Sequence, residues 1–77
     1  MPSIEDYVGI WINTGTGAVW NCALLPTQTL DCDDKPVDYK KLTGKIVWPT
    51  GSVGTYDGKA TITWTFGSKW KRVGMKV

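Results

Sequence analysis

The chain contains no histidine, one phenylalanine, one arginine and only two cysteines. Without histidine there is no Ser-His-Asp or Cys-His arrangement, no imidazole general base and no imidazole metal ligand. The cysteines, Cys22 and Cys32, do not form a Cys-x-x-Cys pair, so dithiol redox chemistry and thiolate zinc sites have no starting point. No apolar run approaches the roughly 20 residues of a membrane-spanning helix. The opening Met-Pro-Ser-Ile-Glu-Asp lacks the basic start and apolar stretch of a signal peptide. The chain therefore reads as soluble and away from membranes, with the cytoplasm as the default compartment. Charge of one sign is scarce as well: nine Lys+Arg against seven Asp+Glu give a net +2, too little to name a partner.

What is present is a small globular composition. Seventy-seven residues, 42% hydrophobic and 21% charged, make one domain spanning the whole chain. A core of this size supplies only about 3–5 kcal/mol unless something staples it. Three staples are on offer: a Cys22–Cys32 bridge, an aromatic payload of five Trp and three Tyr, and self-association. The cysteines lie on either side of Pro26-Thr27-Gln28, which suits a cross-strand bridge; two buried thiols weigh equally.

Periodicity points to strands. Ten threonines and five tryptophans favour them, and no segment sustains a helical period. Ser3 with Asp6 resembles a capping box over one helical turn at residues 3–7. Residues 7–13 alternate, with Val8, Ile10 and Ile12 on one side and Tyr7, Gly9 and Trp11 on the other. Residues 18–25 form a second strand and 29–32 a short third. Residues 31–39, with Asp31, Asp33, Asp34, Lys35, Pro36 and Asp38, read as a polar surface loop. Residues 44–48, 52–56, 59–66 and 69–77 complete an all-β antiparallel meander of about six short strands, a small barrel or a curved sheet.

Two turn signals assign faces in the last strands. Asp57-Gly58 reads as a type I′ hairpin and Gly67-Ser68 as a type II′ hairpin. That register pairs Ile62 with Val73 and with Val53, and Ala60 with Met75. The expected core is Ala60, Ile62, Trp64, Val53, Val73 and Met75. The expected outer face carries Thr61, Thr63, Thr65, Trp70 and Arg72. Trp70 on a threonine ladder is an aromatic platform with hydrogen-bonding neighbours, the pattern on which sugars stack their C–H faces.

Other clusters carry less. Lys69, Lys71, Arg72 and Lys76 interleave with Trp70 as in single-stranded nucleic-acid binders, but alternation divides them between two faces. The aspartates of residues 31–38 space oxygens as calcium loops do. An EF-hand needs an acid or amide at Lys35, glycine at Pro36 and an acid at Leu42, and has none of these. A calcium site of another kind stays open; a solvated loop is the simpler reading. Ser3, Ser52 and Ser68 have no imidazole partner, and Gly15-Thr16-Gly17 lacks the lysine of a phosphate loop. No enzyme activity, cofactor or metal is expected.

The opening Ser3-Ile4-Glu5-Asp6-Tyr7-Val8-Gly9-Ile10-Trp11 resembles the start of calycin-type barrels, the lipocalin and fatty-acid-binding relatives. In these a short helical turn leads into Gly-x-Trp on the first strand, and in lipocalins a late arginine packs over that tryptophan. The resemblance implies an antiparallel meander with both chain ends packed together, and a structural role for Arg72 if it sits on Trp11. The chain is too short for an eight-stranded lipocalin cup, and no ligand is implied.

The function expected from the sequence is a non-enzymatic, lectin-like binding module for a carbohydrate or similar polar ligand. Its candidate residues are Trp70, Thr63, Thr65, Trp48 and Asn13. The alternatives are a subunit that forms a homo-oligomer or packs in a larger protein assembly, and third, a nucleic-acid binder using the Lys/Arg-rich last strand.

Overall fold

The computed structural model describes residues 2–74. A short 3-10 helix, η1 (Ile4–Tyr7), precedes eight strands: β1 (Gly9–Asn13), β2 (Val19–Leu24), β3 (Leu30–Cys32), β4 (Lys35–Lys40), β5 (Lys45–Val47), β6 (Val53–Tyr56), β7 (Thr61–Trp64) and β8 (Lys69–Gly74). Each strand pairs antiparallel with the next, and β8 returns to β1, so the sheet closes into a barrel. The all-β meander is as expected, with eight strands in place of about six. Eight strands fit because none exceeds six residues. Among the described residues no helix is long and apolar enough to cross a membrane.

An eight-stranded barrel is just wide enough to be filled by its own side chains. Here the filling is Tyr7, Trp11, Cys22, Leu30, Cys32, Val37, Ile46, Ile62, Trp64 and Trp70, all buried. Gly54 makes room for part of it. A Cβ there would lie 3.0 Å from Ile62 Cγ2 and from Trp64 Cε3 and Cη2.

The strand missed by sequence reading is β4. Asp33 and Asp34 form a two-residue turn with both φ angles positive, 49° and 70°. Beyond them the chain alternates, with Val37 and Tyr39 facing in and Pro36, Asp38 and Lys40 facing out. The polar residues are the outer face of a strand rather than a loop. Pro36 precedes the first β4–β5 pair, Asp38 with Val47, so on that side its missing N–H breaks no ladder bond. The β2–β3 pairing, closed by the loop at 25–29, sets Cys22 opposite Cys32 with Cα atoms 4.1 Å apart, and the two are joined as a disulfide.

The predicted hairpin register is corrected in both places. β7 pairs with β8 as Ile62 with Trp70 and Thr63 with Lys69; β6 pairs with β7 as Tyr56 with Ile62. Each hairpin has a three-residue loop where two residues were expected. At 58–60 the Asp57 carboxylate accepts N–H bonds from Lys59, Ala60 and Thr61 at 2.8, 3.1 and 3.2 Å, drawing Lys59 and Ala60 into the turn. At 65–67 Gly67 takes φ 100° and Trp64 N–H donates to the Ser68 carbonyl at 2.9 Å, a loop whose last residue is left-handed. The resulting offset is an odd number of residues, which reverses faces.

Trp70 therefore turns into the core beside Ile62 and Trp64, and Val73, expected inside, is 59% exposed. Val53 is only half-buried, next to inward Gly54, and Ala60 is a half-buried turn residue. Ile62 and Trp64 point inward and Thr63 outward, as expected. Met75 and Lys76 lie outside the described residues.

Candidate functional site

Up-and-down winding sends alternate loops to opposite ends. One end carries η1 and the loops after β2, β4 and β6. The other, the mouth, carries the loops after β1, β3, β5 and β7.

The η1 end is closed by matched polar contacts. Ser3 N–H donates to the Asp6 carboxylate at 2.9 Å, the expected box, and sets the helical turn. The Arg72 guanidinium lies 4.5 Å from the Trp11 ring centroid and 5.7 Å from that of Tyr56. It also donates to the carbonyls of Val8 (2.8 Å) and Asp6 (2.5 Å), tying the last strand to the helical turn. Trp11 Nε1 donates to the Tyr7 carbonyl at 3.0 Å. The buried Tyr7 hydroxyl donates to the Gly44 carbonyl at 2.6 Å and accepts from Tyr56 N–H at 3.2 Å. Burial pushes the Tyr7 phenol above its ordinary pKa, with the Tyr56 N–H acting in the opposite sense. The Asp57 carboxyl is held below its usual range, first by the Lys59 N–H.

Two clefts flank η1. One of about 380 Å³ is lined by Pro2, Asp6, Tyr56, Asp57 and Gly58. The other, about 450 Å³, is lined by Ser3, Ile4, Glu5, Gln28, Tyr39 and Lys41. Much of their polar lining is already engaged. Tyr39 donates to the Pro2 carbonyl, Tyr56 to the Lys59 carbonyl, and Asp57 holds three backbone N–H groups.

The mouth gathers four of the five tryptophans: Trp20 at the start of β2, Trp48 after β5, Trp64 at the end of β7 and Trp70 at the start of β8. Trp20 stacks on Trp70 with centroids 5.6 Å apart and planes 6° apart. Trp48 stands edge-on to Trp20, Trp70 and Trp64 at 5.1, 5.4 and 5.6 Å. Phe66, in the β7–β8 loop, stacks on Trp64 at 5.6 Å and is 51% exposed. Trp20 and Trp48 are half-buried, while Trp64 and Trp70 below them are each 2% exposed. The Nε1 atoms of Trp64 and Trp70 are buried with no hydrogen-bond partner. Leaving a buried donor unsatisfied costs about 1–3 kcal/mol, so native proteins seldom keep one without a use.

Around the rings, the loops at 14–18, 49–52 and 65–68 carry no charge and six hydroxyl side chains: Thr14, Thr16, Thr50, Ser52, Thr65 and Ser68. Thr65 accepts Val53 N–H at 3.0 Å and Thr16 accepts Ala18 N–H at 3.2 Å, which leaves each hydroxyl proton free to donate. The fourth loop is the strained Asp33-Asp34 turn, where Asp33 accepts Asn21 N–H at 3.0 Å.

The structure brings together some of the sequence-derived candidates and separates others. Trp48 and Thr65 lie at the mouth, Trp48 as a rim ring. Trp70 belongs to the same cluster but as its floor, not as an outer platform. Thr63 is exposed on the barrel wall. Asn13 is buried, and its Oδ1 accepts N–H bonds from Gly15 (2.9 Å) and Thr16 (3.2 Å), shaping the β1–β2 loop. Sequence reading missed Trp20 and Phe66. The signal for Trp20 was available in the two-faced apolar pattern of residues 18–25.

Lys69 and Lys71 face outward on β8, divided from Trp70 and Arg72 as alternation requires. Among the described residues no three Cys, Asp or Glu side chains come together in a way that could hold a metal ion. Comparison with protein-family models, with curated protein sequences and with solved structures found no match.

Proposed function

We propose that this barrel is a non-enzymatic binding module, lectin-like in its chemistry, that takes a carbohydrate or similar polar ligand at its mouth. The observation that carries the reading is the composition of that mouth: partly exposed Trp20 and Trp48 and exposed Phe66, ringed by hydroxyl-bearing, uncharged loops and one Asp-Asp turn. Indole faces hold the C–H side of a pyranose, while Thr, Ser and Asp meet its hydroxyls. Closure of the barrel leaves no open sheet edge among the described strands, which takes away the edge-pairing argument for self-association. Arg72, the chain's one arginine, serves the opposite end, which weakens the case for a nucleic-acid surface. The Gly9-Ile10-Trp11 segment with Arg72 laid over Trp11 supports kinship with calycin-type barrels as a proposal about architecture, without a ligand carried over.

A glycan array probed with the full chain tests the reading. The expected result is a signal for a defined subset of neutral glycans, lost in Trp20→Ala and Trp48→Ala variants that still melt cooperatively. A silent array, or a signal indifferent to both substitutions, removes it.

A further inference from the structure

The two unpartnered indole N–H groups call for an acceptor. They belong to rings 4.8 Å apart at the floor of the mouth cluster, Trp70 packed by Trp20 and Trp48, and Trp64 by Trp48 and Phe66. Neighbouring ring faces are weak acceptors, so both donors stay available. An acceptor reaching them from solvent has to pass these partly exposed rings. Four loops surround that entrance.

We infer that Trp64 Nε1 and Trp70 Nε1 are ligand-binding donors, and that the ligand is the terminal pyranose of a neutral glycan entering the mouth end-on. The inference rests on the carbohydrate reading of the mouth and narrows it to a chain end. One sugar ring carries several hydroxyl oxygens, which can accept from donors on two adjacent indoles. A mid-chain sugar is blocked on both sides by its neighbours and cannot descend past Trp20 and Trp48. Asp33 and Asp34 at the rim accept hydroxyl protons and disfavour anionic sugars. In the free protein Trp48 stands edge-on to three indoles, and on binding it turns to lay its ring face against the entering sugar.

The test is a titration of the full chain, labelled with 15N at the indole nitrogens, with methyl β-D-glucopyranoside, methyl β-D-galactopyranoside and methyl α-D-mannopyranoside. The trisaccharide of each sugar is titrated alongside. The expected result is that one glycoside moves the Trp64 and Trp70 N–H resonances downfield, slows their exchange with water, and binds nearly as tightly as its trisaccharide. Replacing Trp64 by benzothienylalanine keeps the ring shape and removes the donor. It should leave thermal stability unchanged or raised and weaken binding about tenfold, the equivalent of one hydrogen bond. Shifts confined to Trp20 and Trp48, or unchanged affinity in the benzothienyl variant, overturn the inference while leaving a glycan site at the rim. Trisaccharide binding with no response to any monosaccharide glycoside overturns the chain-end specificity. No response of any indole to any of these sugars removes this inference and the carbohydrate reading together.

Discussion

At the η1 end the Arg72 guanidinium, the Tyr7 and Tyr56 hydroxyls and the Asp57 carboxylate each meet backbone atoms with good geometry. At the mouth two buried indole N–H groups meet nothing, three large rings are partly in water, and two aspartates sit in left-handed backbone. Both ends use aromatic rings in a barrel with no room for a cup, and both use side-chain oxygens to hold backbone, yet only the mouth leaves buried indole donors unpaired. Left-handed non-glycine backbone occurs at both ends, at Gln28 beside η1 and at Asp33 and Asp34, so the contrast lies in the unsatisfied groups, each of which calls for an explanation. On the proposed reading the η1 end serves stability and the mouth recognition, a division that can be attacked from either side.

The largest effect should come from Arg72→Met. It removes two charge-assisted hydrogen bonds and the cation over Trp11, and leaves the Asp6 and Val8 carbonyls without that donor. The expected loss is about 4 kcal/mol in urea unfolding; a loss below about 1 kcal/mol, the level of an ordinary surface contact, would break the assignment of stability to this end. Next comes the staple. The disulfide closes a loop of sequence separation 10, so the Cys22→Ala/Cys32→Ala variant should lose about 2–3 kcal/mol. Because Cys32 precedes the Asp33-Asp34 turn, that variant should also loosen the mouth, visible as a change in Trp20 fluorescence. Gly54→Ala should cost about 2 kcal/mol by overpacking against Ile62 and Trp64; a neutral result would show that the Trp64 ring moves freely.

Tyr7 gives a test by pH. Its folded-state pKa is raised above the ordinary tyrosine value, so the folded state holds the proton more tightly than the unfolded chain. The associated stability is complete below about pH 10 and falls as pH rises from there through the raised value. Tyr7→Phe should lose about 1–2 kcal/mol at neutral pH and flatten the alkaline part of the curve, as read by melting temperature against pH. Asp57 works in the opposite direction: its lowered pKa contributes stability above the unfolded carboxyl value that is lost as pH falls through the folded one.

The smallest effect is a gain. Asp34 adopts φ 70°, so Asp34→Gly should raise stability by about 0.5–1 kcal/mol. If strain in that turn serves recognition, the same variant should bind glycan less well.

How far the sequence reached follows the same division. The η1 end was legible, because its signals are local: Ser3 with Asp6 as a box, Gly9-Ile10-Trp11 on a strand, and a lone arginine with an indole to cover. The mouth was not, because its geometry depends on turn lengths. Asp57 and Gly67 were read correctly as turn residues. However, three N–H bonds to one carboxylate, and a left-handed residue at the end of a loop, each lengthened a turn beyond what the dipeptide indicates. The odd offset moved Trp70 from wall to floor and Val73 from core to solvent. β4 was hidden for a different reason: every second residue of a barrel wall faces water, so Pro36, Asp38 and Lys40 masked the inward pair Val37 and Tyr39.

The most direct test of the division is to map where a bound glycan is felt. Backbone amide shifts of the full chain should be followed during titration with a sugar that gives a signal on the array. The account predicts perturbations at residues 14–18, 33–34, 49–52 and 65–68, with residues 4–7 and 57–60 unmoved. Perturbations centred on η1 and its two flanking clefts, with the tryptophan mouth silent, would contradict it.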